Sequence, residues 1–213
     1  MSKLDVFDFD GTLFRTPLNT EANRRKYEKA KGIPWHIDKA MARQLSAKLG
    51  KHVGMRRGWW GRKETLEPPL VPSPPTPEYL IQETCEAFIK SKNDSNCFTM
   101  MMTGRHLGLS NHVLRILGEC GLVDIKRKGK DIIQCRDPNV TCLFLGDHGP
   151  KPSGTMPSET LPWKLWILEQ YLLMMDFDEM EIWEDRSEHV QVFRDHDWGL
   201  KVTVNHITDC EGA

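Results

Sequence analysis

Two aspartates near the amino terminus have the types and the spacing that chemistry requires. Asp8 and Asp10 close a β-branched and aromatic stretch that begins at Lys3, and Gly11 and Thr12 then break it. Side chains two residues apart in a strand point to the same face, so both carboxylates should face one place. Two carboxylates held close together repel each other unless a ligand binds them, and a Mg²⁺ ion with a phosphate would suit such a site.

Other polar residues follow later apolar runs. Thr103 comes after the run that starts at Cys97, and Glu184 and Asp185 come after the run 180–183. Ligands of parallel sheets bind beyond the carboxyl ends of the strands, so these side chains should lie near the aspartate pair. Thr103 could instead simply cap the next helix, and the acidic pair could form a turn.

The elements that must position these residues alternate along the chain. A helix is predicted within 16–32, where Thr20 or Asn19 could cap its start and Gly32 could end it. Further helices are predicted at 35–49, 77–92, 107–118, 160–175 and 188–196, and strands at 3–9, 97–102, 131–135, 140–145, 180–183 and 200–204. Such alternation implies right-handed βαβ units and a parallel sheet, hence an α/β fold. The stretch between residues 51 and 79 is rich in Gly, Arg, Trp and Pro and predicts an ordered loop with no long element.

Size and composition exclude several classes of protein. A chain of 213 residues allows one domain, or a core with a modest insertion. The sequence contains no run of eighteen apolar residues, so we expect no transmembrane helix, and its amino terminus has no apolar signal-peptide region. The six cysteines form no CxxC pair, which favours free thiols in a reducing compartment and argues against zinc. We therefore expect a cytoplasmic protein, or a nuclear one in a eukaryote, that is not secreted and has no membrane partner.

The net charge of -1 hides a division between two parts of the chain. Residues 14–66 hold fourteen Lys and Arg against four Asp and Glu, whereas residues 176–213 hold three against eleven. A basic segment beside an acidic catalytic half suggests a polyanionic substrate that is drawn towards a metal site. The alternative is that these charged residues only lie on solvent-exposed helix faces and bind no substrate.

Four segments in this order resemble the motifs of the haloacid dehalogenase (HAD) superfamily: FDFDGTLF, MMMTGR, TLPWK and IWEDR. The resemblance runs from Lys3 to about Phe193. It implies a Rossmann-like HAD core with a parallel central sheet, formed by residues 1–13 and 80–213. Residues 14–79 would form a small, mainly helical and loop cap inserted after the first strand.

The resemblance also implies roles for the motif residues. Asp8 would attack phosphorus and form an acyl phosphate, and Asp10 would protonate the leaving oxygen and later take a proton from water. Thr103 would donate its hydroxyl group to a phosphoryl oxygen, and Lys164 would hold the phosphate and Asp8. Mg²⁺ would be held by Asp8, the Asp10 backbone carbonyl and Asp185, with Glu184 as a further ligand or an orienting group.

Three assignments have rivals within the sequence. Lys151 in GPKP competes with Lys164, which we prefer for its TLPWK context, although Lys164 could be an ordinary surface lysine. Asp147 also ends a predicted strand and is ranked behind Asp185 as a metal ligand. His189, one helical turn after the acidic pair, could orient it or lie on the surface.

The insertion contains basic residues interleaved with aromatic ones: Arg56, Arg57, Trp59, Trp60, Arg62 and Lys63. This pattern suits phosphate contacts with base stacking, although either Trp could instead form the hydrophobic core of the cap. Arg105 could reach the substrate phosphate or pair with an acid. We predict the substrate-binding residues to be Gly11, Gly104, Arg105, Arg57, Trp59, Trp60 and Arg62.

A narrower resemblance comes from GWWGRKETLEPP, TLPWK and WEDRSEHVQVF. Together they look like the HAD domain of Swiss Army Knife RNA repair proteins and, distantly, the phosphatase half of polynucleotide kinase-phosphatases. This implies a Mg²⁺-dependent phosphatase acting on a terminal 3′-phosphate of a nucleic acid. The sequence contains no GxxxxGK[ST] loop and therefore predicts no kinase activity. The alternatives are a small-molecule or nucleotide phosphatase and a non-catalytic HAD-fold binding protein, and the oligomeric state is left open.

Overall fold

The computed structural model describes residues 2–54, 58–128, 132–148 and 155–209. Its strands are β1 (Lys3–Asp8), β2 (Cys97–His106), β3 (Ile125–Lys128), β4 (Ile132–Cys135), β5 (Val140–Leu145), β6 (Glu179–Glu184) and β7 (Lys201–His206). Its α-helices are α1 (Glu21–Lys31), α2 (Lys39–Leu49), α3 (Gln82–Asn93), α4 (Ser110–Glu119), α5 (Thr160–Met174) and α6 (Ser187–Asp195). None of the helices in these ranges has the length and apolar composition that crossing a bilayer requires.

Five strands form a parallel sheet in the order β5-β2-β1-β6-β7, and β3 and β4 form a separate antiparallel pair. The central strand β1 pairs with β2 on one side and with β6 on the other. Both faces of a central strand are covered, which explains why the five residues of β1 from Leu4 to Asp8 are all buried. The predicted α/β fold with a parallel sheet is confirmed.

Alternation along β1 sends its side chains into two hydrophobic clusters, one on each face of the sheet. Phe7 belongs to the first cluster together with Phe88 of α3. Leu4 belongs to the second, together with Trp163 of α5 and Phe193 of α6. Helices on both faces of the sheet therefore give three layers, and the carboxyl ends of the strands stay open to ligands.

The segment between β1 and α3 has small hydrophobic clusters of its own. One contains Tyr27, Trp35, Trp59 and Leu70, and the other contains Ile37, Ala42 and Val53. Leu66, Val71 and Tyr79, near the end of the segment, instead pack into the cluster on the first face of the sheet. The segment is thus a small cap with its own interior, and the division of the chain at residues 13 and 80 stays a prediction.

The chain departs from the predicted elements in several places. β2 continues to His106, beyond the predicted strand end at residue 102, and α2 begins at Lys39 instead of residue 35. The predicted helix 77–92 begins later than expected: Pro77–Tyr79 form a short 3₁₀ turn, and the α-helix α3 begins at Gln82. An isolated bridge between Phe14 and Leu80 and a hydrogen bond from Ile81 N to Leu13 O hold this part extended. The pattern also missed β3, since its sequence IKRK has too few apolar residues to signal a strand.

Candidate active site

The carboxyl ends of three neighbouring strands bring the motif residues together. Asp8 is the last residue of β1, Thr103 lies in the carboxyl-terminal part of β2, and Glu184 ends β6 with Asp185 next to it. Asp8, Glu184 and Asp185 each offer a carboxylate oxygen, and these atoms all lie within 4.8 Å of one another. This is the arrangement that the strand-end argument predicted.

Lys164, in the second turn of α5, connects two of these acids. It is 3% exposed, and its Nζ lies 2.5 Å from Asp8 Oδ1 and 2.7 Å from Glu184 Oε2. Lys164 is therefore not a surface lysine. Its rival Lys151 lies outside the described residues.

The three neighbouring carboxylates differ in their contact with the ammonium group of Lys164, which binds Asp8 and Glu184, and their pKa values differ. Burial raises the pKa of Asp8 to about 7, and the charge of Glu184 adds to the rise while Lys164 opposes it. Burial and the charges of Asp8 and Glu184 raise the pKa of Asp185 to about 8. Burial also acts on Glu184, but Lys164 and His189 together outweigh it and lower the pKa of Glu184.

The acid cluster fits a divalent cation. Asp185 Oδ1 is buried and has no hydrogen-bond partner among the residues described. Burial is the main cause of the raised pKa values of Asp8 and Asp185, and the neighbouring carboxylates add to it, so a bound cation would favour the ionised form of both groups. Asp8 and Asp185 would hold such a cation, since Lys164 contacts only Oδ1 of Asp8, whereas both oxygens of Glu184 are engaged, Oε2 by Lys164 and Oε1 by Arg186 N.

His189 supports the acidic pair from α6. It is 5% exposed, and its Nδ1 lies 3.3 Å from Glu184 Oε2. A surface position for His189 is therefore wrong. The contact limits the orientations that Glu184 can take and leaves its other neighbour, Lys164, in place beside Asp8.

Asp10 is held by a different cation from the one that holds Asp8. Arg105 Nη2 lies 2.8 Å from Asp10 Oδ1, and Arg105 Nε lies 3.1 Å from both carboxylate oxygens. Thr16 donates its hydroxyl group to Asp10 Oδ1 at 2.6 Å, and Thr103 donates to Oδ2 at 3.3 Å. Of the two possibilities for Arg105, the structure has it paired with an acid.

These contacts set the charge of Asp10. Burial alone would raise its pKa, but the Arg105 guanidinium group and the Thr16 hydroxyl group outweigh burial and hold the pKa below its usual range. The more distant positive charge of Arg186 acts in the same direction. Asp10 is therefore ionised in the absence of substrate.

Arg105 also reaches the cap. It is 2% exposed, and its Nη1 donates hydrogen bonds of 2.7 Å to the Trp60 carbonyl oxygen and to Thr65 Oγ1. One buried side chain thus joins Asp10 in the core to two residues of the inserted segment. No spacing in the sequence signals Thr16 or Thr65, because their partners are distant in sequence or lie across an irregular turn.

Two glycines lie where a side chain would not fit. Gly11 has φ of +75°, and a Cβ atom there would come within 2.3 Å of Asp185 Oδ2. A Cβ atom on Gly104 would come within 2.7 Å of Thr160 Oγ1, at the start of the helix that carries Lys164. Both glycines therefore allow site elements to approach closely, and substrate binding by either stays a prediction.

The paired tryptophans of the cap have different environments. Trp59 is 3% exposed, and its Nε1 donates to the Pro17 carbonyl oxygen at 2.7 Å. Arg62 is also buried, with its guanidinium carbon 3.5 Å from the centroid of the Trp35 ring. These contacts support the alternative that Trp59 forms part of the hydrophobic core of the cap, with Arg62 packed against that core, and substrate binding by either residue stays a prediction.

Trp60 is 41% exposed, and its ring centroid lies 5.2 Å from the guanidinium carbon of Arg105. It therefore lies beside the site and is open to a ligand. Arg57, the other predicted contact from the cap, lies outside the described residues. Asp147 Oδ2 accepts a hydrogen bond from Phe144 N at 2.7 Å within its own turn, and Asp147 is not part of the acid cluster.

Comparison with known proteins gives one match. The model of the family described as HAD domain family 1 in Swiss Army Knife RNA repair proteins matches residues 38–208. This range contains Thr103, Lys164 and the acidic pair, and it begins after β1. No curated protein and no solved structure matches the chain. The assignment of Asp8 and Asp10 to the site therefore depends on the geometry of the strand ends.

Proposed function

This chain belongs to HAD domain family 1 of Swiss Army Knife RNA repair proteins, and this membership supports a HAD-type phosphatase activity. We propose that the protein is a Mg²⁺-dependent phosphohydrolase that removes a terminal phosphate, the 3′-phosphate, from a nucleic acid end. The observation that carries the proposal is the Asp8 carboxylate, held 2.5 Å from Lys164 Nζ and clustered with Asp185 at the open edge of the sheet.

Asp8 is the nucleophile. Its carboxylate oxygen bonds to phosphorus while the bond from phosphorus to the leaving oxygen breaks, which gives an acyl phosphate on Asp8. Lys164 fixes the orientation of Asp8 through Oδ1 and places a positive charge next to the incoming phosphate. When bound by Asp8 and Asp185, Mg²⁺ would offset the repulsion between the Asp8 carboxylate and the phosphate dianion.

Asp10 is the acid and then the base. It protonates the leaving oxygen in the first step, and in the second it takes a proton from the water that attacks phosphorus and frees Asp8. The first step requires protonated Asp10, whereas Arg105 keeps it ionised before substrate binds. A phosphate dianion near Arg105 would compete for the guanidinium group and raise the pKa of Asp10 towards the value that an acid catalyst needs.

The surface charge of the cap supports a polymeric substrate. Among the described residues of 14–66, ten Lys and Arg side chains are exposed against two Asp and Glu side chains, Glu21 and Asp38. Contacts between such cations and phosphate groups make binding fall steeply as the salt concentration rises. A single small phosphomonoester would not require so extended a basic surface.

The test is phosphate release from a short 3′-phosphorylated oligonucleotide, a 3′-mononucleotide and an aryl phosphate. Each substrate is measured with Mg²⁺ and with a chelator, for the wild type and for Asp8→Asn. The expected result is that the oligonucleotide is preferred, that its KM rises with salt, and that release needs both Mg²⁺ and Asp8. Preference for the mononucleotide or the aryl phosphate would instead make the protein a general phosphatase.

A further inference from the structure

The cap places one aromatic side chain at the catalytic site and buries its neighbour. Trp59 fills the interior of the cap and is anchored to the Pro17 carbonyl oxygen, whereas Trp60, the next residue, is 41% exposed. Since a large apolar ring is costly to expose, an open Trp beside a polar site is a candidate for ligand contact.

One side chain connects Trp60 to the catalytic acid. Arg105 binds the Trp60 carbonyl oxygen through Nη1 at 2.7 Å and Asp10 Oδ1 through Nη2 at 2.8 Å. The same guanidinium carbon lies 5.2 Å from the Trp60 ring centroid. The ring is therefore held on the cap side of the site, next to the group that would protonate the leaving oxygen.

We propose that Trp60 is a stacking platform for the terminal nucleobase of the substrate strand, the base of the nucleotide that carries the scissile phosphate. This inference rests on the proposed function and specifies its substrate as a strand end with its last base intact. The leaving oxygen next to Asp10 belongs to the terminal sugar, so the base on that sugar is the part of the substrate closest to Trp60. The exposed Lys and Arg side chains of the cap would then contact the phosphate groups along the rest of the substrate strand.

Stacking of a base on an aromatic side chain contributes without requiring a particular base, since every base has a π face. Its typical contribution corresponds to roughly 5- to 150-fold in binding affinity. Trp60 is thus expected to favour strand ends that carry a base over ends that do not, with little preference among bases.

The experiment measures binding, so that it does not depend on turnover. A labelled 3′-phosphorylated oligonucleotide and the same strand with an abasic terminal residue are titrated against Asp8→Asn protein by fluorescence anisotropy. The same titrations are made with Trp60→Ala and Trp60→Phe in the Asp8→Asn background. Leu173→Ala is the matched control, because Leu173 is 85% exposed and lies about 13 Å along α5 from Lys164.

The expected result is that the base-bearing end binds roughly 5- to 150-fold more tightly than the abasic end. Trp60→Ala should bring this ratio close to one, Trp60→Phe should retain part of it, and Leu173→Ala should leave it unchanged. A ratio that survives Trp60→Ala, or no preference for a terminal base at all, overturns the inference. If the ratio depends on Trp60 but the wild type releases no phosphate, the proposed function fails and the base-binding site stands.

Discussion

Arg105 and Asp10 form a buried ion pair in which Nη2 lies 2.8 Å from Oδ1 and Nε lies 3.1 Å from both carboxylate oxygens. The side chain of Arg105 is 1% exposed and that of Asp10 is 13% exposed. The same arginine binds Trp60 and Thr65 of the cap. The side chain that sets the charge of the candidate acid–base residue therefore also contacts the cap.

Removal of Arg105 should destabilise the protein. Arg105→Ala leaves the carboxylate of Asp10 buried without its main cation, and breaking such a pair costs about 3–5 kcal/mol in the free energy of unfolding. Arg105→Lys should recover only part of this, because an ammonium group cannot bind Asp10 and both cap oxygens at once. Urea denaturation measures the loss. The control is Arg25→Ala, which breaks an exposed pair with Glu21 and should change stability little; equal losses in the two variants would contradict the prediction.

Asp10→Asn should reduce phosphate release from the oligonucleotide by about 10²–10⁴-fold, since it removes the proton donor for the leaving oxygen. An aryl phosphate has a leaving group that departs without a proton, so Asp10→Asn should reduce the rate on this substrate much less. Single-turnover release of the leaving group from both substrates measures the difference, because this first step precedes the attack of water in which Asp10 acts as the base. Losses of the same size on the two would mean that Asp10 acts by position or charge and not as an acid.

The pH dependence of stability should reveal the crowded acid cluster. The pKa values of Asp8 and Asp185 are raised to about 7 and about 8 in the folded protein, against about 3.9 in an unfolded chain. The folded state therefore binds more protons between these limits, so this contribution to stability falls as pH rises from about 4 to about 8 without a metal.

A divalent cation should reverse this trend, because it takes the place of the protons. We expect Mg²⁺ to raise the Tm more at about pH 8.5 than at about pH 5.5, relative to chelator. Thermal unfolding at the two pH values, with Asp185→Asn as the variant that loses most of the Mg²⁺ effect, measures it. An Mg²⁺ effect that is independent of pH would argue against metal binding at this cluster.

Gly11→Ala should impair both folding and activity. Its added Cβ would meet Asp185 Oδ2 at 2.3 Å, in addition to the strain of φ at +75°. Gly32→Ala is a matched control, since Gly32 has φ of +66° but a Cβ atom added there would meet no other atom within 4 Å. Both substitutions should cost about 1–2 kcal/mol from the left-handed backbone, but only Gly11→Ala should also lower Mg²⁺ affinity and phosphate release. Isothermal titration with Mg²⁺ and rate measurements distinguish them, and full activity in Gly11→Ala would refute the close packing of Gly11 against Asp185.

The sequence by itself determined the α/β class, the parallel sheet and the strand ends at which Asp8, Glu184 and Asp185 lie. These features follow from local patterns, since the period of a strand and the end of an apolar run are properties of neighbouring residues. The resemblance to HAD motifs added Lys164, which the structure brings to Asp8.

Only the tertiary structure decided which partner each charged or aromatic side chain has. Trp59 and Trp60 are adjacent and identical in type, yet one is buried in the cap and the other is open beside Arg105. Arg105 could pair with an acid or a phosphate by sequence alone, and the contacts of Thr16 and Thr65 carry no signal. These outcomes depend on how segments far apart in the chain meet, and no local spacing encodes that meeting.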